Sequence, residues 1–210
     1  MSIPKSYCIL SIMLLCCFLT KAQEKDTISP SVWSHNPGVS LYIWKDEIMV
    51  LPVYKVDKDW LHLEARYNYE DRNTLSAWVG YNFKGGNKFQ YAITPMLGAV
   101  AGNTYGIAPG LELDFTFYGF EFYSESEVVF DLQSKDDFFY NWTEITYSPL
   151  DWLWFGLSFQ RTRFYQTDLY FQPGFEVGGG YRWFGLTGYV FNLGLDDPYG
   201  IITFSASIPE

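Results

Sequence analysis

Residues 61 to 70 alternate strictly between apolar and polar. Leu61, Leu63, Ala65, Tyr67 and Tyr69 interleave with His62, Glu64, Arg66, Asn68 and Glu70. A period of two places the first set on one face of an extended strand and the second on the other. The pattern recurs. Leu75, Ala77, Val79, Tyr81 and Phe83 alternate with Thr74, Ser76, Trp78, Gly80 and Asn82. Leu153, Phe155, Leu157 and Phe159 alternate with Trp154, Gly156, Ser158 and Gln160. A chain built this way is all-β, and each strand has one apolar face to hide.

Short clusters of Gly, Asn, Asp and Pro separate the runs, among them Asp57-Lys58-Asp59, Gly85-Gly86-Asn87, Tyr118-Gly119, Pro149-Leu150-Asp151, Gln166-Thr167-Asp168 and Asp196-Asp197-Pro198. They delimit strands over 39–44, 47–56, 60–70, 73–83, 88–100, 104–116, 120–132, 138–148, 152–164, 168–180, 184–194 and 200–208. That makes twelve, or ten as the fallback count. Their length suits the ~9–11 residues with which a tilted strand crosses a bilayer. An even count leaves both chain ends on one side. Asp59-Trp60-Leu61 and Asp151-Trp152-Leu153 echo each other, each opening a strand after a turn.

The N-terminus reads as an export signal over residues 1–22: Lys5, an apolar run from Cys8 to Leu19, then Thr20-Lys21-Ala22 as a cleavage site. Cys17 after Leu14-Leu15-Cys16 leaves lipid attachment as the alternative. Residues 23–38 read as a periplasmic tail, and 39–210 as the barrel. Cys8, Cys16 and Cys17 all lie in the leader, so the mature part has no disulfide, thiolate metal site or Cys nucleophile. The chain has 14 Lys and Arg against 24 Asp and Glu. Lys5 and Lys21 leave with the leader, so the mature part carries 12 against 24, a formal charge of −12. Such a balance argues against nucleic acid as a partner.

A soluble barrel alternates too, so the argument turns on which face is core. Trp60, Phe83, Phe89, Phe115, Phe120, Trp152 and Phe184 all fall near one set of turns. Such a ring suits a membrane interface, where amphipathic rings collect. The opposite faces are rich in Gly, including Gly80, Gly98, Gly110, Gly156, Gly174 and Gly178, as a narrow curved interior requires. On these residues, the strand lengths and the leader, the chain resembles the bacterial outer-membrane β-barrel proteins as a class over about residues 39–208. The resemblance implies an antiparallel up-and-down transmembrane barrel in the outer membrane, with outer-membrane lipids around it. It carries no catalytic motif and implies no cofactor or metal. The ending Ser207-Ile208-Pro209-Glu210 departs from the terminal aromatic common in that class.

The inward faces hold an acidic stripe: Glu112 and Asp114 on one strand, Glu121, Glu125 and Glu127 on the next, and Glu144 on the third. A tight turn near Phe117-Tyr118 would set Glu121 about opposite Asp114, and a short loop near Lys135 would bring Glu127 near Glu144. Facing carboxylates need counterions. Arg66 and His62, with Lys55 and Lys88, have the parity to supply them. Inward Trp78, Tyr123, Tyr140, Trp142, Trp154 and Tyr170 would leave a narrow or closed lumen. The expected function is a narrow cation-preferring channel for small cations or solutes, since acidic rings favour cations. The alternatives are a closed barrel supporting the envelope or a partner protein, and a lipid-modifying enzyme built on His62, Glu64 and Ser76. Arg161 and Arg163 have outward parity and could meet lipid phosphates. Asn141-Trp142-Thr143 matches a glycosylation sequon but falls inside a strand.

Overall fold

The computed structural model describes residues 32–134, 136–164 and 170–209. The expected signal segment 1–22, residues 23–31 of the expected tail, Lys135, the expected turn at Gln166-Thr167-Asp168 and the side chains of Arg163 and Tyr170 lie outside the described residues.

Fourteen strand segments follow one another: β1 (Ser34–Ile43), β2 (Ile48–Lys58), β3 (Leu61–Tyr67), β4 (Leu75–Tyr81), β5 (Phe83–Gly86), β6 (Phe89–Ala101), β7 (Gly106–Phe117), β8 (Phe120–Asp131), β9 (Phe138–Leu150), β10 (Leu153–Phe164), β11 (Tyr170–Tyr181), β12 (Phe184–Phe191), β13 (Tyr199–Ala206) and β14 (Ile208–Pro209). β4 and β5 pair in one register with β6 and are a single stave interrupted at Asn82. β13 and β14 likewise form one stave against β1, interrupted at Ser207. The result is twelve antiparallel staves, each paired with its sequence neighbour, and β13 pairs with β1 to close the ring. Closure removes the open edges of the sheet, and only the short overhangs β5 and β14 pair on one side alone among the described residues.

The first stave begins at Ser34 rather than at 39, so residues 34–38 belong to the barrel and not to the tail. Pro37 made this stretch look irregular. It pairs with Tyr54 of β2, and on its other side the last stave breaks where Pro37 has no N–H to give.

Burial follows the alternation with the sign of a membrane protein. Along β3, His62, Glu64 and Arg66 are buried, while Leu63, Ala65 and Tyr67 are exposed. Along β4, Ser76, Trp78 and Gly80 are buried, while Leu75, Ala77, Val79 and Tyr81 are exposed. Large apolar side chains such as Leu97, Ile107, Phe155, Phe175 and Val177 cover the outside. That surface is compatible with hydrocarbon and not with water.

The two rims differ. At one, staves are joined by two-residue turns: Asp59-Trp60, Asn87-Lys88, Tyr118-Gly119, Asp151-Trp152 and Arg182-Trp183. Both ends of the described chain lie at this turn end. Tyr118 and Gly119 have φ of 47° and 81°, the paired positive values of a type I′ hairpin turn. The connections at the other rim, the loop end, are longer, for example 68–74 and 192–198.

Inside, rings are seated on glycines. Trp78 faces Gly98, Trp154 faces Gly178 and Phe191 faces Gly174 as direct cross-strand partners. A Cβ on Gly178 would lie 2.2 Å from Trp154 Cε2, and one on Gly98 would lie 2.5 Å from Trp78 Cδ2. The inward glycines are therefore the floor on which inward aromatics lie flat.

Candidate functional site

The interior has three zones. The middle holds an ion network. Lys55 on β2 reaches Glu64 (2.9 Å), Glu125 (3.6 Å) and, more closely still, Glu112. Arg66 on β3 contacts Glu64 (2.5 Å), Glu125 (2.6 Å), Glu127 (3.0 Å) and Glu70 (3.8 Å). Its guanidinium lies 4.6 Å from the ring centres of both Tyr69 and Trp78. The Tyr123 hydroxyl lies between Glu112 (2.8 Å) and Glu125 (2.9 Å), with one proton for the two carboxylates to share. β2 and β3 are separated from β8 by three or more staves, so the bridges to Glu125 and Glu127 cross the lumen instead of running along its wall. His62 joins the network between Asp57 (2.9 Å) and Glu64 (3.0 Å).

The stripe is thus brought together in part. Glu112, Glu125 and Glu127 sit in the network with the expected counterions Arg66, His62 and Lys55, while Lys88 lies in an exposed turn. Two expected oppositions are corrected. The Tyr118-Gly119 turn pairs Phe117 with Phe120, which places Thr116 opposite Glu121 and Tyr123 opposite Asp114. The β8–β9 register places Tyr140 opposite Glu127 and Tyr123 opposite Glu144. The directly opposed carboxylates are Glu112 and Glu125, and Lys55 with Tyr123 holds both.

Tyr69 is also corrected. Strict alternation put it on the outer face, but β3 ends at Tyr67 and Asn68 takes φ of 59°. That left-handed step turns the chain inward. Tyr69 then packs edge-on against Tyr140, with ring centres 5.6 Å apart. Glu70 follows it in, accepting from Ser76 (2.6 Å) and Trp78 (3.3 Å).

The loop half of the lumen is aromatic and apolar. Tyr42, Leu51, Tyr189, Phe191, Tyr199 and Ile201 form one buried cluster, and Trp78, Met96, Val100, Val129, Phe138 and Tyr140 form another. Tyr69 and Trp142 pack against both. Toward the turn end lies a cavity of about 770 Å³. A smaller one of about 150 Å³ lies on the loop side. Tyr42 and Tyr69 line both, so they are the wall between them.

Asp114, Glu121 and Glu144 lie outside the ion network. Glu144 accepts from Trp142 Nε1 (2.8 Å) and the Tyr189 hydroxyl (3.0 Å). Glu176, passed over in the sequence because β11 reads as glycine-rich, accepts from Ser158 (2.9 Å).

On the outside, Trp60, Phe89, Phe120, Trp152 and Phe184 are exposed at the turn end, as is Phe83. Phe115 is stacked between Phe89 and Phe122. Trp183 belongs with them: like Trp60 and Trp152, it is the second residue of a two-residue turn. The Asp-Trp echo was the signal that could have found it. Arg161 is exposed, with its guanidinium 5.2 Å from the Phe171 ring centre.

His62, Glu64 and Glu112 bring ligand-type atoms within 4.8 Å of one another. Lys55 contacts both carboxylates, so an ammonium already stands where a metal would. His62 and Ser76 do not form a base–nucleophile pair: Ser76 gives its hydroxyl to Glu70, and both His62 nitrogens face carboxylates. Asn141 is buried, and its amide nitrogen lies 3.0 Å from each of Ser124 Oγ, Ser126 Oγ and the Glu125 carbonyl, among which its two protons are shared. The sequon is therefore enclosed.

No protein-family model matches the chain, and no curated protein matches it in sequence. Among solved structures it is similar to the KdgM porin at 11% identity and a TM-score of 0.56, covering 83% of this chain and 99% of that one. It is also similar to the NanC porin at 9% identity and a TM-score of 0.54, covering 83% and 98%. At such identities the likeness is one of fold, and it extends over nearly the whole of both porins. With the inverted burial and the closed ring of twelve staves, it gives this chain the fold of a porin-like transmembrane β-barrel.

Proposed function

We propose that the barrel is a narrow, cation-preferring channel. The observation that carries this reading is the imbalance of charge inside. Glu64, Glu70, Glu112, Glu125 and Glu127 face two full cations, Lys55 and Arg66, in the network. Asp114, Glu144 and Glu176 add charge with no ion pair among the described residues. A low-dielectric conduit with excess carboxylate attracts cations and repels anions. Small cations or solutes are the cargo this geometry favours, and outer-membrane lipids are its surroundings. The exposed aromatic ring at the turn end would serve as its interfacial girdle.

Planar-bilayer recording of the refolded mature protein tests the reading. In a salt gradient the reversal potential should take the sign of cation preference. Glu125→Gln with Glu144→Gln should move it toward zero. An unchanged reversal potential would remove the stripe from the mechanism. A second reading, a closed barrel that supports the envelope, is favoured by the Tyr42–Tyr69 wall. Absence of conductance at every salt concentration would establish it over the first.

A further inference from the structure

The turn-end cavity has an unusual lining. Trp142, Trp154, Tyr189, Tyr42, Tyr69 and Tyr123 supply aromatic surface. The charges on its wall are equal in number, Lys55, Arg66 and Arg182 against Glu125, Glu144 and Asp151, but they are not equally available. Lys55 and Arg66 are already held by Glu64, Glu112 and Glu127, which stand outside the lining. Arg182 is at the rim over the Tyr181 ring, 5.4 Å from its centre. Glu144 lies deeper. Both of its hydrogen bonds come from neutral donors and fall on Oε1, leaving Oε2 with no partner among the described residues. Trp142 and Tyr189 thus orient the carboxylate and present ring surface beside it, with their ring centres 5.5 Å apart in an edge-to-face arrangement.

An oriented free carboxylate among aromatic rings, in a cavity of about 770 Å³, suits one ligand chemistry. A substituted ammonium gains from the carboxylate, and its apolar groups gain from the rings. An anion would meet the Glu144 carboxylate, which has no ion pair among the described residues. We infer that the turn-end cavity is a binding site for organic monocations of the substituted-ammonium type, with Glu144 as counterion and Trp142, Trp154 and Tyr189 as the cage. This deepens the cation-preferring reading and rests on it for the direction of charge.

Choline and its uncharged carbon isostere, 3,3-dimethyl-1-butanol, have nearly the same shape and separate charge from apolar fit. Choline should quench the tryptophan fluorescence of the refolded mature protein saturably, and roughly tenfold more tightly than the isostere. Glu144→Gln should abolish about that tenfold preference while heat-modifiable migration in detergent gels stays intact. Trp154→Leu should weaken choline binding as a second, independent probe. Equal binding of the two ligands, or undiminished choline affinity in Glu144→Gln, overturns the proposal. In bilayers choline should block potassium current when added from the turn side. A cation-selective channel indifferent to choline sinks the site and spares the channel. Charge-selective choline binding by a protein without conductance sinks the channel and spares the site.

Discussion

Arg66 is the residue whose removal tests the interior most sharply. Its side chain is fully buried and contacts Glu64, Glu125, Glu127 and Glu70. Arg66→Met keeps most of the stem and deletes the charge. Glu64 and Glu125 would retain Lys55 at 2.9 and 3.6 Å. Glu127 and Glu70 would not, because Arg66 is the only ion-pair partner of each among the described residues, although Glu70 keeps its hydrogen bonds from Ser76 and Trp78. Removing one partner of a buried pair costs about 3–5 kcal/mol, and that is the loss expected here. Arg66→Lys should fall in between, since one ammonium cannot reproduce a planar fork that reaches β3 and β8 together. The decisive variant is Arg66→Met with Glu127→Gln. Neutralising Glu127, the nearer of the two stranded carboxylates and the one without hydrogen bonds from Ser76 and Trp78, should bring the loss down to roughly 1–3 kcal/mol, the scale of the hydrogen bonds that stay broken. Urea unfolding in phosphatidylcholine vesicles, followed by tryptophan fluorescence, measures all three. An Arg66→Met loss below about 1 kcal/mol, the scale of an exposed pair, would refute the reasoning, as would a double variant less stable than the single one.

The seating of rings on glycines predicts that Gly178→Val and Gly98→Val each destabilise by about 1–3 kcal/mol through overpacking. Adding Trp154→Ala to Gly178→Val should recover part of that in the same unfolding assay. Gly119→Val should cost roughly 1 kcal/mol or more at the positive φ of the hairpin turn, and refolding yields should fall with it. Tyr69→Ala, which thins the wall between the two cavities, should raise single-channel conductance while leaving the sign of the reversal potential unchanged. Conductance equal to that of the parent would show that the wall does not limit flow.

The staves were legible because the period of two is a local property, and each turn carries its own chemistry. Trp60 and Trp152 could be placed at a rim from position alone. What the sequence hid depends on register and closure. One residue of difference in the turn after Phe117 moves Glu121 from Asp114 to Thr116, and no local pattern distinguishes the two turn placements. Tyr69 went to the wrong face because β3 ends at Tyr67 and a single left-handed residue, Asn68, takes Tyr69 out of the alternation that resumes in β4. That Arg66 meets Glu127 across the lumen could not be read at all. The pair is 61 residues apart and belongs to staves that are not neighbours, so it depends on the closed ring. Counterions could be assigned by parity only, and parity says which face a side chain joins, not how far it reaches.

The division of the lumen also bears on how a channel of this form could open. The ion network fills the sector between β2 and β8. The large cavity runs mainly along β9 to β13 and β1. A route through the network must break buried ion pairs at about 3–5 kcal/mol each. A route along the cavity meets the wall of Tyr42 and Tyr69, where an off-rotamer excursion costs of order 0.5–1.5 kcal/mol per side chain. A difference of about 3 kcal/mol is a factor of more than a hundred in population. Conduction should therefore follow the aromatic sector, with the carboxylates acting through their field and the tyrosines through their rotamers. On the proposed reading selectivity and gating should lie on separate residues: Glu-to-Gln changes should move the reversal potential and leave open probability alone, and changes at Tyr42 or Tyr69 should do the reverse.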